Sequence, residues 1–197
     1  VTSFESSPAD AGVKAMLTWR SPDGRRLEQV RLNVNGSRVR AYGRIVAAAA
    51  DREAYSASYE LVTTDSGVAR RLSVRLLREP GESALDVSRD MDGRWMVQTP
   101  TSSVRSHFDG AETVSVEGSP FFASIPLRRF GIVAGGRRDD VPVVTLRLPE
   151  CEIDAASMSY VGGGAGRVTV ACAGRTDELV VDDDGIVLDY PGVAALL

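Results

Sequence analysis

One histidine, one lysine and two cysteines are all that the 197 residues hold of those types. With His107 alone, and Cys151 and Cys172 distant from it in the chain, no zinc set can be assembled convincingly, because such a site draws its ligands mainly from those residues. Two cysteines make no disulfide scaffold. Both sit beside β-patterned segments, where a free thiol is ordinarily buried and inert. No apolar run approaches the roughly 20 residues that a membrane-spanning helix needs, and the longest run of small apolar residues, 45–50, is far too short. Residues 1–10 include Glu5 and Asp10 and have neither a basic nor an apolar stretch, so they do not read as a secretory leader, and the expected location is cytoplasmic. A basic excess is also missing: 23 Lys and Arg against 27 Asp and Glu leave a net charge of −4. Nucleic-acid binders gain most of their affinity from neutralising phosphates, so nucleic acid is not an expected partner. Since Lys14 is the one lysine, nearly all positive charge is arginine. That reflects either GC-rich coding or a need for planar, bidentate anion contacts.

What is present is alternation. Val30, Leu32 and Val34 alternate with polar residues, as do Leu72, Val74 and Leu76, then Val144, Leu146 and Leu148, then Val168, Val170 and Cys172. A period of two puts every second side chain on one face of a sheet, and a sheet with one apolar face is usually antiparallel. Asn35-Gly36, Asp65-Ser66-Gly67, Asp92-Gly93, Asp109-Gly110 and Asp184-Gly185 separate these segments, and such pairs favour hairpins because they tolerate positive φ. Length and apolar content suit one β-rich domain over 1–197, built as a sheet, sandwich or barrel. A faint two-fold pattern, residues 13–105 against 106–192, pairs Tyr59 and Asp92-Gly93-Arg94-Trp95 with Tyr160 and Asp184-Gly185-Ile186-Val187. Helical signal is thin. Residues 47–57 fit a short helix or a connection equally well. Ser119-Pro120 reads as an N-cap with proline at the first helical position, and Pro126 limits that helix to about two turns or fewer.

Few constellations carry chemistry. His107 between Ser106 and Asp109 lacks the strand-turn-helix setting of a nucleophile elbow and reads as a polar turn. Asp182-Asp183-Asp184-Gly185 lacks the alternating ligands of a calcium loop, and the glycine run 162–166 reads as a loop that is followed by no phosphate-binding Lys-Ser/Thr. Neither metal nor cofactor is expected. Phe121-Phe122 followed by Arg128-Arg129 has two readings. In one, the aromatics line an apolar slot and the guanidiniums meet a polar or anionic head. In the other, the aromatics are core and the arginines pair with carboxylates.

The run Ser119-Pro120-Phe121-Phe122-Ala123-Ser124-Ile125-Pro126-Leu127-Arg128-Arg129 resembles the central motif of the Putative glycolipid-binding family of bacterial proteins. Asp109-Gly110 before it, Asp92-Gly93-Arg94-Trp95, the early Trp19, Glu28, Gly43 and Tyr59, and the C-terminal Asp183-Asp184-Gly185-Ile186-Val187-Leu188-Asp189-Tyr190-Pro191-Gly192 are similar to its other marks, in the same order. The chain departs from the pattern at Ala111, Thr113, Ser115, Ala123 and Ser124, as a divergent member would. The resemblance implies a mainly β fold, a curved antiparallel sheet or half-barrel like those of bacterial lipoprotein carriers, with an apolar concave face. It implies a non-catalytic protein that holds an amphiphile or glycolipid, with Trp95, Phe121, Phe122, Arg128, Arg129 and Tyr160 as candidate contacts. Two rivals stand beside it: an enzyme using Asp92 or Asp109 with arginines on an anionic substrate, and a structural module that buries its apolar face in a homodimer.

Overall fold

The computed structural model describes residues 12–50 and 52–197, and the polar opening segment 1–10 lies outside them. The alternating segments become strands: β1 (Val13–Arg20), β2 (Arg26–Asn35), β3 (Arg38–Ala47), β4 (Tyr55–Thr63), β5 (Ala69–Arg78), β6 (Gly81–Arg89), β7 (Trp95–Gln98) and β8 (Ser103–Ser106). After β9 (Thr113–Val116) comes the helix α1 (Pro120–Arg129), followed by β10 (Arg137–Arg147), β11 (Glu152–Gly164), β12 (Arg167–Cys172), β13 (Arg175–Val181), β14 (Val187–Tyr190) and β15 (Ala194–Leu196). Among the described residues these strands form one curved, unclosed sheet with edges at β8 and β9. The chain meanders outward from β1 to β8, then from β10 to β15 it works back until β15 pairs with β1 through Trp19 and Leu196. The fold is thus mainly β, as the alternation predicts.

Three local expectations need correction. Pairing is antiparallel except between β9 and β10, which run parallel. The reason is α1: parallel neighbours need a crossover, and the helix supplies it. Second, α1 does not stop at Pro126 but continues through it to Arg129. Buried Ile125 and Leu127 pack on either side of the proline, and the Phe130 N–H donates to the Pro126 carbonyl at 3.0 Å, so the last turn is held despite the missing donor. Third, Gly162 and Gly163 lie within β11 rather than in a loop. No helix forms between β3 and β4 among the described residues.

The two ends of the sheet differ in how their inner faces are covered. Inward residues of β2, β3 and β5, such as Val30, Ile45 and Leu72, are fully buried. They pack around Phe121, Phe122 and Ile125 of α1, which plug that part of the curve. A second, smaller core joins Leu127 of the helix to Tyr160, Val168, Leu179 and Val187. Four polar ties lock α1 between the two. Ser119 donates to Glu28 at 2.7 Å and caps the helix by accepting from the Phe122 N–H. Ser124 accepts from the Val187 N–H at 3.0 Å. Arg128 donates to the Asp184 carbonyl at 3.1 Å, and Arg129 pairs with Glu112.

Three early marks of the chain, Glu28, Gly43 and Tyr59, converge on the first of these ties. Glu28, 2% exposed, accepts from the Tyr59 hydroxyl at 2.6 Å as well as from Ser119. The Tyr59 ring lies where a Cβ on Gly43 would sit, so only glycine fits there. The ring also stacks on Phe121, with centroids 6.0 Å apart. Burial holds the Glu28 carboxyl above its ordinary range against the pull of Arg26 and the two hydroxyls, and it pushes the Tyr59 phenol well up. The turns after β6 and β13 are built alike. Asp90 and Asp182 each accept from the N–H groups two and four residues on, before Gly93 and Gly185 close the hairpins.

Candidate functional site

The smaller end of the sheet keeps its inner face open. A groove of about 510 Å³ runs between α1 and the inner face of β9 to β14. One helix face forms its first wall: Ser119, Phe122, Ala123 and Pro126 line it, at the spacing that puts residues on one side of a helix. The second wall is built by period two. Ala156, Met158 and Tyr160 on β11, Val170 and Cys172 on β12 and Leu179 on β13 project into the groove, and across β10 the same face continues to Thr113 and Ser115 on β9. Unlike the inward residues of β2 and β3, several of these stay half-buried, including Ala156, Met158 and Val170. An apolar inner face in water is costly by about 25 cal/mol per Å², so this face is built to be covered.

Polar groups ring the groove. Arg147 donates to Glu117 at 3.1 Å and also pairs with Glu152, while Arg175 donates to Asp177 at 3.2 Å. The Tyr190 hydroxyl donates to the second oxygen of Asp177 at 3.0 Å, and burial together with that carboxylate pushes the phenol up to about 12. Tyr190 therefore remains a neutral donor throughout the physiological range. Burial likewise raises the Tyr160 phenol, which donates to the Met158 sulfur at 3.3 Å. Among the described residues Asp154 makes no ion pair, and the buried Thr113 hydroxyl at one wall has no hydrogen-bond partner.

The residues singled out from sequence scatter. Phe122 and Tyr160 line the groove. Phe121 is fully buried in the main core. Trp95 is buried there too, its indole donating to the Ala111 carbonyl at 2.9 Å. Arg128 and Arg129 border a separate depression of about 210 Å³ beside Gly36, Ser37 and Gly67, each engaged with a carboxylate. The structure therefore does not bring the arginines to the aromatic that lines the groove. Asp92 and Asp109 are exposed turn residues and lie outside the groove. His107 is exposed in the turn that leads into residues 108–110. Cys151 is buried, but Cys172 is half-buried in the groove wall, contrary to the expectation of two hidden thiols.

Residues missed from sequence include Thr113, Ser115, Ala156, Met158, Val170, Cys172 and Tyr190. One signal for them existed. Thr113, Ser115 and Ala123, three of the positions where the chain departs from the family pattern, all line the groove. The other two departures, Ala111 and Ser124, are used internally, by the Trp95 indole and by Val187.

A family model described as Putative glycolipid-binding matches residues 16–195. A crystal structure of a DUF1089 family protein from Pseudomonas aeruginosa superposes with a TM-score of 0.70 at 24% identity, over 91% of this chain and 95% of that one. A β-barrel-like protein of the domain of unknown function DUF1849 from Brucella abortus superposes with a TM-score of 0.54 at 11% identity, over 93% and 95%. At these identities the two structures speak for the fold alone. No curated protein matches the chain.

Proposed function

Because the chain belongs to the Putative glycolipid-binding family, we propose that it binds an amphiphile rather than catalysing a reaction, with the tail in the groove between α1 and β9 to β14. The observation that carries this reading is the half-buried apolar inner face at Ala156, Met158 and Val170, whereas inward residues at the other end such as Val30, Ile45 and Leu72 are fully buried. Each methylene buried there contributes about 0.8 kcal/mol, so a modest stretch of chain gives useful affinity. The rim favours a neutral, hydroxyl-bearing head over a phosphate. Asp154, which makes no ion pair among the described residues, offers an acceptor, whereas Arg147 and Arg175 are already engaged by Glu117, Glu152 and Asp177.

Cys172 gives a direct test. Its thiol lies in the groove wall, whereas Cys151 is buried and burial pushes that thiol up, away from its reactive form. Iodoacetamide is expected to label Cys172 first, and dodecyl maltoside below its micelle concentration is expected to slow that labelling in proportion to its occupancy. Labelling of Cys172 at an unchanged rate under saturating detergent monomer would refute the reading.

A further inference from the structure

Charge is distributed very unevenly over this acidic chain. The outward positions of β1 to β5 carry eight of its 23 basic residues, two on β1, one on β2, three on β3 and two on β5. Against these stands one acidic residue among the outward positions of the same strands, Glu60. Cross-strand register arranges the face in rows. Leu27, Val46 and Leu77 share one row with Ser56 between the last two. The adjacent row holds Gln29, Arg44, Ser58 and Arg75, and the next holds Met16, Arg31 and Tyr42. Arg31, Arg44 and Arg75 make no ion pair among the described residues, and with Arg71 they line a shallow depression of about 560 Å³ beside Tyr42 and Met16. The apolar members are open to water: Met16 is 61% exposed, Leu77 51% and Val46 49%.

We propose that this outer face docks on an anionic lipid bilayer. A row of exposed apolar side chains next to unpaired guanidiniums is what the headgroup boundary receives: the apolar tips enter it and the cations meet phosphates. A nucleic acid would satisfy the arginines but leave Leu27, Val46 and Leu77 in water. The face lies on the other side of the sheet from the groove, so this inference does not depend on what the groove holds.

Flotation with vesicles tests it. The protein is expected to float with phosphatidylcholine vesicles containing phosphatidylglycerol, not with pure phosphatidylcholine, and to be released by salt. The Arg31→Ser/Arg44→Ser variant is expected to bind about thirtyfold more weakly, since each arginine near an anionic surface contributes a factor of about five. Val46→Ser is expected to weaken flotation without changing its salt dependence. Both variants alter exposed side chains, so thermal melts and Cys172 protection by detergent should match the wild type. Flotation independent of the anionic lipid, no flotation at all, or retention of DNA by this face in place of vesicles would overturn the proposal.

Discussion

Replacing Ala156 by tryptophan is expected to weaken amphiphile binding more than a hundredfold while leaving the fold intact. Ala156 projects into the groove from the middle of β11, between Asp154 and Met158 on the inner face. An indole at this position occupies space that a tail would otherwise fill. Displacing about four methylenes of a bound chain loses about 3 kcal/mol, or more than a hundredfold in Kd. Residue 156 is half-buried and faces open volume, so the larger side chain meets no packed core. Tryptophan also suits a strand. Titration of a fluorescent alkyl glycoside, beside a thermal melt, separates the two effects. A variant that binds as tightly as the wild type would place the ligand elsewhere.

Glu28→Ala is expected to cost about 3–5 kcal/mol of stability, because two buried hydroxyls, each worth ~1–3 kcal/mol, lose their acceptor. Those hydroxyls belong to Tyr59 and Ser119, so the change loosens both the aromatic stack and the N-terminus of α1. For a chain of this length the midpoint of thermal unfolding should fall by roughly 10 °C. Since α1 is one wall of the groove, binding should weaken as well. Glu28→Gln keeps an acceptor oxygen and removes the charge, so its loss at neutral pH is smaller. The pH dependence distinguishes the two substitutions. Burial holds the Glu28 carboxyl above its ordinary value of 4.5 in the folded chain. Folding therefore takes up a proton between the unfolded and folded values, and the stability from the neutral carboxyl is whole below the unfolded value and lost as pH rises through the folded one. Relative to Glu28→Gln, the wild type should gain stability on acidification from neutral pH towards 4.5. A gap that stays constant over that range would show that burial does not raise the Glu28 carboxyl.

Much of the scaffold is legible in the sequence because strands and turns are local. Val30, Leu32 and Val34 alternate and become the inner face of β2, and Asn35-Gly36 closes the hairpin to β3 with Gly36 at positive φ. Ser119-Pro120 announces the start of α1 correctly, since the serine side chain does cap the Phe122 N–H. The end of α1 is not legible, because the packing of Ile125 and Leu127 that carries it through Pro126 comes from strands distant in sequence. Nor is the parallel β9–β10 pair, since the signals for a strand do not reveal its neighbour. The site was half visible. Tyr160 and Phe122 stand out as aromatics, yet Ala156, Thr113 and Ser115 are ordinary residues that gain meaning only from facing an open volume. Arg128-Arg129 is the opposite case: prominent in sequence, but occupied in fastening α1 to Asp184 and Glu112.

We propose the groove between α1 and β9 to β14 as the ligand site. A crystal structure of the protein grown with dodecyl maltoside tests it most directly. The alkyl chain is expected against Phe122, Met158 and Val170, with the sugar near Asp154, Asp177 and Tyr190. A groove that holds only water while detergent binds elsewhere, or not at all, would contradict it.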